Sequence, residues 1–228
     1  MVSLLKKVRK KTFKKSNDIF SYPFRYISTM ITTLLINTKI TPLQVTWTHL
    51  IIGLMAAFLF SFGGNVLTIV AVLLFILAYI LDLVDGELAR YKKIRSEVSI
   101  WLDHVGDYIL LFFVLAGIVI GNFRFSQDGL ILILSLIALT LIASVGVITI
   151  SKKTDRIKKI KAIILPFKFK FSKRLHLGIF TISFLLFIIG ALTQKVKIML
   201  IFYIIITFFA MIRAFFHRLN FIKEEFNE

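Results

Sequence analysis

Apolar residues run along this chain in six long blocks, each broken off by glycine, asparagine or a cluster of lysine and arginine. With approximate ends, the blocks are 44–62, 66–91, 98–121, 128–151, 175–194 and 197–217. Each is close to the roughly 20 residues that carry a helix across a hydrocarbon core. The pattern predicts an all-α, integral-membrane bundle of six transmembrane helices. Thr41 before Pro42 suits the start of the first span, with Thr41 as cap and Pro42 in the first turn. Gly63, Gly64 and Asn65 predict a tight turn before the second. The only long connection is 152–174, where IKAIILPFKF could dip into the interface and Pro166 would break any helix. Residues 1–40 form a basic juxtamembrane segment. Within it, Leu4, Leu5, Val8, Phe13, Ile19 and Phe20 among lysines predict an N-terminal interfacial amphipathic helix over 3–20, with a solvated basic tail as the alternative. No repeat or linker divides the chain, so residues 1–228 read as one membrane domain.

Composition supports the membrane reading. The chain has 228 residues, 58% of them hydrophobic, with 24 Phe and a mean hydropathy of +0.88, more apolar surface than a soluble domain of this size can hide. The absence of cysteine excludes disulfides, thiolate metal sites and cysteine nucleophiles. No short apolar core with a small-residue cleavage site follows the basic N-terminus, so a cleaved signal is not expected. The net charge of +17 could suggest nucleic acid, but its distribution argues otherwise. With six spans, the clusters at Lys6–Lys15, Arg90–Arg95 and Lys152–Arg174 and the C-terminal Arg213, Arg218 and Lys223 share one side. Only Arg124, Lys195 and Lys197 fall on the other. The positive-inside rule places that basic side, with both termini, in the cytoplasm. A basic face at an anionic leaflet attracts lipid headgroups and phosphorylated substrates. Trp47, Trp101 and most Phe read as lipid-facing or packing residues.

Candidate chemistry lies in DLVDGELARYKKIRSEVSIWLDHVGD, residues 82–107. Asp82 and Asp85 are three apart near the end of span two, and Asp103 and Asp107 are four apart near the start of span three. Each pair therefore shares a helix face. Ionised groups in spanning helices are costly and mark functional cavities. If the two helices pack antiparallel, the faces can form an oxygen-only cage suited to a hard divalent cation. A buried ion-pair network is the bland alternative, yet Arg90 and loop lysines do not balance four Asp and Glu87. A transporter with an Asp-lined cation site is a second alternative, for which carboxylates near mid-membrane on broken helices are expected.

Written with spacings, the segment is Asp82-x2-Asp85-Gly86-x2-Ala89-Arg90-x8-Ser99-x3-Asp103-x3-Asp107. It resembles the signature of the CDP-alcohol phosphatidyltransferase family. Two positions depart from that pattern: Ser99 stands where the family generally has Gly, and Leu43 where many members carry Asn after the Pro. The resemblance implies transfer of a phosphatidyl or other substituted phosphate group from a CDP-linked donor to a hydroxyl acceptor, with CMP released. It implies two divalent ions, Mg²⁺ or Mn²⁺, held by Asp82, Asp85, Asp103 and Asp107. Asp107 is either the general base toward the acceptor hydroxyl or a ligand of the second ion. Asp82, Gly86, Ala89, Arg90 and Ser99 become the nucleotide and diphosphate contacts, with Arg90 suited to bidentate phosphate binding. The expected donor is CDP-diacylglycerol or an archaeal counterpart, the acceptor a phosphorylated alcohol, and the setting a prokaryotic cell membrane with the site facing the cytoplasm. A homodimer is expected. A di-inositol-phosphate-synthase-like transfer between soluble polyol phosphates is the alternative within the family. Arg213, His217 and Lys152 are candidate acceptor contacts, with headgroup anchoring or topology as the competing reading. His104 lies about 100° off the aspartate face and reads as a packing or supporting residue.

Overall fold

The computed structural model describes residues 5, 8–9, 11–12, 21–94, 97–154, 168–172 and 175–226. Among them run seven helices: α1 (Tyr22–Leu35), α2 (Pro42–Phe62), α3 (Asn65–Lys92), α4 (Glu97–Ser126), α5 (Gly129–Thr154), α6 (Ile179–Thr193) and α7 (Val196–Phe226). Two short antiparallel strands, β1 (Lys168–Ser172) and β2 (Leu175–Gly178), precede α6. The architecture is all-helical apart from this hairpin. Five stretches are long and apolar enough to cross a membrane: Pro42–Phe62, Asn65–Lys92, Trp101–Ser126, Gly129–Thr149 and Val196–Phe216. The expected fifth block, 175–194, is shorter as a helix, because its first four residues pair with β1 and only 15 remain for α6.

Short as it is, α6 links the two ends of the bundle. Near its start, Thr181 shares a 3.3 Å hydrogen bond with Tyr79 on α3. Beyond its end, Gln194 accepts from Asn122 at 3.3 Å, and Lys197 pairs with Asp128 in the turn between α4 and α5. The expectation of a membrane-dipping segment around Pro166 falls outside the described residues.

α2 starts as its sequence dictates. The Thr41 hydroxyl accepts from Gln44 N at 3.3 Å, and Gln44 Oε1 accepts from Thr41 N at 2.9 Å, a reciprocal capping box with Pro42 in the first turn. It ends at Gly63 and Gly64, both at positive φ (68° and 76°), where a side chain would be strained.

α2 is also the keystone of the packing, since it lies against both α3 and α4. Gly117 and Gly121 on α4 abut the backbone carbonyls of Ala57 and Phe60, where any Cβ would collide. Gly53 and Gly106 make room for Leu110 and Leu50 across the same seam. Small residues at such a seam let helix backbones approach closely within lipid. Beyond it, α5 packs on α4 and α7. The core continues through Phe75, Leu111, Leu115, Phe184, Phe187, Leu200 and Tyr203.

α1 adds an element to the sequence reading. The interfacial helix was expected at 3–20, where only Leu5, Val8, Arg9, Lys11 and Thr12 are described, all helical. The rest of that segment lies outside the described residues, and a further, two-faced helix lies at Tyr22–Leu35. Ser28, Thr29, Thr32 and Thr33 are buried, whereas Tyr26, Ile27, Met30 and Leu34 are exposed. Its hydroxyl face points into the protein and its apolar face outward, as suits a helix bedded in a membrane interface. Phe24 fixes it through edge-on contacts with Tyr79 and Phe184, with ring centroids 5.3 and 5.7 Å apart.

Candidate active site

The four aspartates converge, but not by direct packing of their two helices. α3 and α4 make little backbone contact with each other among the described residues, and both lean on α2. The aspartates therefore face one another across the N-terminal turns of α2, and that helix contributes to the site. The Thr46 hydroxyl donates to Asp85 Oδ2 at 2.8 Å. One turn on, His49 is 1% exposed, with Nδ1 3.5 Å from the same oxygen. One carboxylate oxygen each from Asp82, Asp85 and Asp103 lie within 4.8 Å of one another. A second group, within the same limit, joins a His49 nitrogen to oxygens of Asp82 and Asp107. Asp82 belongs to both. Anionic oxygens this close, with Asp85 buried and the other three aspartates partly so, call for a cation. The donor set fits hard divalent ions, with one imidazole added.

Thr46 and His49 escaped the sequence reading. The available signal was two polar residues three apart, one of them ionisable, inside an apolar block.

Arg90 and Gly86 also take places that spacing alone did not assign. Arg90 Nε donates to the Thr12 carbonyl at 2.9 Å, so the N-terminal segment lies at the edge of the site. A Cβ on Gly86 would meet Arg90 Nη1 at 3.3 Å. The bare face of Gly86 thus accommodates the guanidinium, and Ala89 lies partly buried one turn along. Lys11 sits over the Tyr91 ring at 4.2 Å, a second tie between the N-terminal segment and the end of α3.

Glu87 does not add to the anionic surplus in the way the sequence suggested. It lies about 200° around α3 from Asp85 and is fully buried against α1. Oε1 accepts from Ser28 at 2.9 Å and from Thr29 at 3.4 Å, and Oε2 accepts from Thr32 at 2.9 Å. It anchors α1. Arg25, also on α1, donates from Nε to Ser21 at 3.2 Å and lies within electrostatic reach of Glu87.

His104 stands beside Asp103, with Nδ1 3.6 Å from Oδ2, and is partly exposed. Arg213 is exposed on α7, whose main neighbours are α5 and α6. Ser99, Lys152 and His217 are placed on α4, α5 and α7 by backbone alone, and their side chains lie outside the described residues. Trp47 and Trp101 are half exposed, as lipid-facing residues should be.

A family model described as CDP-alcohol phosphatidyltransferase matches residues 39–222, which include all four aspartates, Arg90, Thr46 and His49. The chain belongs to the CDP-alcohol phosphatidyltransferase family. It is an integral membrane enzyme that transfers a phosphatidyl group from a CDP-linked donor to an alcohol, a step of phospholipid synthesis. Among solved structures, the phosphatidylinositol phosphate synthase of Mycobacterium tuberculosis, crystallised with CDP-DAG bound, is similar in fold. The TM-score is 0.64 at 16% identity, covering 83% of this chain and 92% of that one. No curated protein sequence matches significantly. As a CDP-alcohol phosphatidyltransferase, the chain carries its signature aspartates on two helices held apart and aligned by a third.

Proposed function

We propose that this transferase is metal-dependent and moves a phosphatidyl group from CDP-diacylglycerol, or an archaeal counterpart, to a phosphorylated alcohol, releasing CMP. The observation that carries the reading is the convergence of Asp82, Asp85, Asp103 and Asp107 into two adjoining ligand groups that share Asp82. Asp82, Asp85 and Asp103 would hold one divalent cation, and Asp82 and Asp107 reach toward a second. Bound ions of this kind neutralise the diphosphate and stabilise the charge that builds on the leaving CMP.

The remaining work falls to side chains. Thr46 holds Asp85 in one orientation through its hydroxyl. Arg90, at the open end of α3 beside Gly86, offers guanidinium donors to a diphosphate arriving at that edge. Asp107 takes the proton of the acceptor hydroxyl as its oxygen bonds to phosphorus and the bond to CMP breaks. Ser99 at the start of α4, and Arg213, His217 and Lys152 at the same end of the bundle, remain candidates for nucleotide and acceptor contacts. That end is the basic one, so it faces the cytoplasm by the positive-inside rule. It also favours a phosphorylated acceptor. The solved relative with CDP-DAG bound supports a lipid donor over the polyol alternative. A homodimer and a prokaryotic membrane complete the proposal.

The transporter alternative is not favoured, because α3 and α4 run unbroken through their aspartates among the described residues.

The test is CMP release by the purified, detergent-solubilised protein, with CDP-diacylglycerol and a panel of alcohols. Asp82→Asn and Asp107→Asn should each lower turnover at least about 100-fold, in the range of a lost ion ligand or base. Turnover without a CDP-linked donor, or unchanged in both variants, would defeat the mechanism.

A further inference from the structure

One buried group in the site has no role in the scheme above. His49 is 1% exposed, and neither ring nitrogen makes a hydrogen bond among the described residues. Three residues after Thr46, it lies on the same face of α2 and so points where Thr46 points, at the carboxylates of α3 and α4. Buried polar atoms are nearly always paired, and an unpaired imidazole amid carboxylates calls for a ligand. One of its nitrogens lies within 4.8 Å of oxygens from both Asp82 and Asp107.

From this the geometry points to His49 as a nitrogen ligand of the second cation, beside Asp82 and Asp107, so that the two metal positions differ in chemistry. The inference rests on the reading of the aspartates as a divalent-cation site. The first position, Asp82, Asp85 and Asp103, is all oxygen. The second has two carboxylates and one imidazole. A ligating imidazole commonly gives its other N–H to a carboxylate, and Nδ1 of His49 already lies 3.5 Å from Asp85 Oδ2. That leaves Nε2 for the ion. The arrangement ties the two positions together, because Asp85 would steady His49 while serving the other ion. Imidazole suits first-row transition metals and is a poor ligand for Mg²⁺, whereas carboxylates alone suit Mg²⁺ well. The second position should therefore discriminate against Mg²⁺ more strongly than the first.

The test is Mn²⁺ binding to the full-length, metal-stripped protein, followed by electron spin-echo spectroscopy, which detects nitrogen bonded to Mn²⁺. Wild type should bind two ions and show ¹⁴N modulation that changes to a ¹⁵N pattern when histidine is ¹⁵N-labelled. His104→Gln should keep the signal, which separates His49 from the histidine beside Asp103. His49→Gln should lose it and weaken one of the two ions about tenfold or more, leaving the other in place. Co²⁺ should displace Mg²⁺ from the second position in wild type and lose this advantage in the variant. Two bound ions with no nitrogen coupling in wild type would overturn the assignment while leaving the aspartate site intact. No bound Mn²⁺ in wild type would sink the cation reading itself, and this inference with it. Because the decisive signal is read on wild type, misfolding of the variant cannot hide the answer.

Discussion

The hydroxyl of Thr46 on α2 donates to Asp85 Oδ2 on α3 at 2.8 Å, deep in the bundle. The helix that carries no aspartate thus fixes the direction of one that does. Asp85 is only 5% exposed, so this bond is barely screened by solvent.

Thr46→Val keeps the shape of the side chain and removes the donor. Loss of a group that orients a metal ligand costs about 10–100-fold in metal affinity or activity. CMP release measured across a Mg²⁺ titration should show that loss, and Thr46→Ser should restore most of it. Equal activity in Val and Ser variants would show that Asp85 needs no such support.

Thr32→Val should destabilise the fold rather than the chemistry. It leaves Glu87 Oε2 buried without its hydroxyl donor, at about 1–3 kcal/mol for an unsatisfied buried group. Thr33→Val is the comparison, because the Thr33 hydroxyl bonds to the Thr29 carbonyl of its own helix. Thermal unfolding in detergent should separate the two variants, with α1 loosening first in Thr32→Val.

The seam between α2 and α4 should tolerate no added side chain. Gly121→Leu forces bulk against the Phe60 carbonyl, and overpacking of this kind costs about 1–3 kcal/mol or more. Because α4 carries Asp103 and Asp107, activity should fall with stability. Gly129→Ala meets nothing within 4 Å and should behave as wild type in the same melting and turnover assays.

Arg90→Lys keeps the charge but cannot hold the Thr12 carbonyl through Nε and also present a planar fork to a diphosphate. A charged hydrogen bond of about 1.5–3 kcal/mol corresponds to about 10–100-fold in kcat/KM for the CDP-linked donor. The loss should appear against that donor and not in the affinity for acceptor. An equal loss for both would point to a structural role.

At the far end of the bundle, the hydrogen bond from Lys197 holds the Asp128 carboxyl below the usual carboxylate range. A depressed folded value means the contribution is full above the unfolded pKa and lost as pH falls through the folded one. Wild type and Lys197→Ala should therefore differ slightly near neutral pH at low salt and converge under acid. Both Asp128 and Lys197 are open to water, so added salt should narrow the gap as well.

Much of this was legible along the chain. Thr41 and Pro42 announced the start of α2, and Gly63 and Gly64 its end, because caps and positive-φ turns are local chemistry. The spacing of Asp82, Asp85, Asp103 and Asp107 showed which faces they share, since helical periodicity needs no tertiary information. α1 was not legible because its polar residues are hydroxyls turned inward and its apolar residues face outward. α6 proved shorter than its apolar block because Leu175–Gly178 pair with the strand just before them.

The sequence by itself determined the membrane class, most of the helical elements and the faces that the aspartates share, all consequences of composition and of contacts within a turn or two. Only the tertiary structure decided who stands between the aspartates. That α2 wedges between α3 and α4, bringing Thr46 and His49 to Asp85 and setting Glu87 against α1, depends on which helix faces meet, with glycines letting the α2 and α4 backbones approach. Such close approach is a property of two helices together, and no single stretch of chain encodes it.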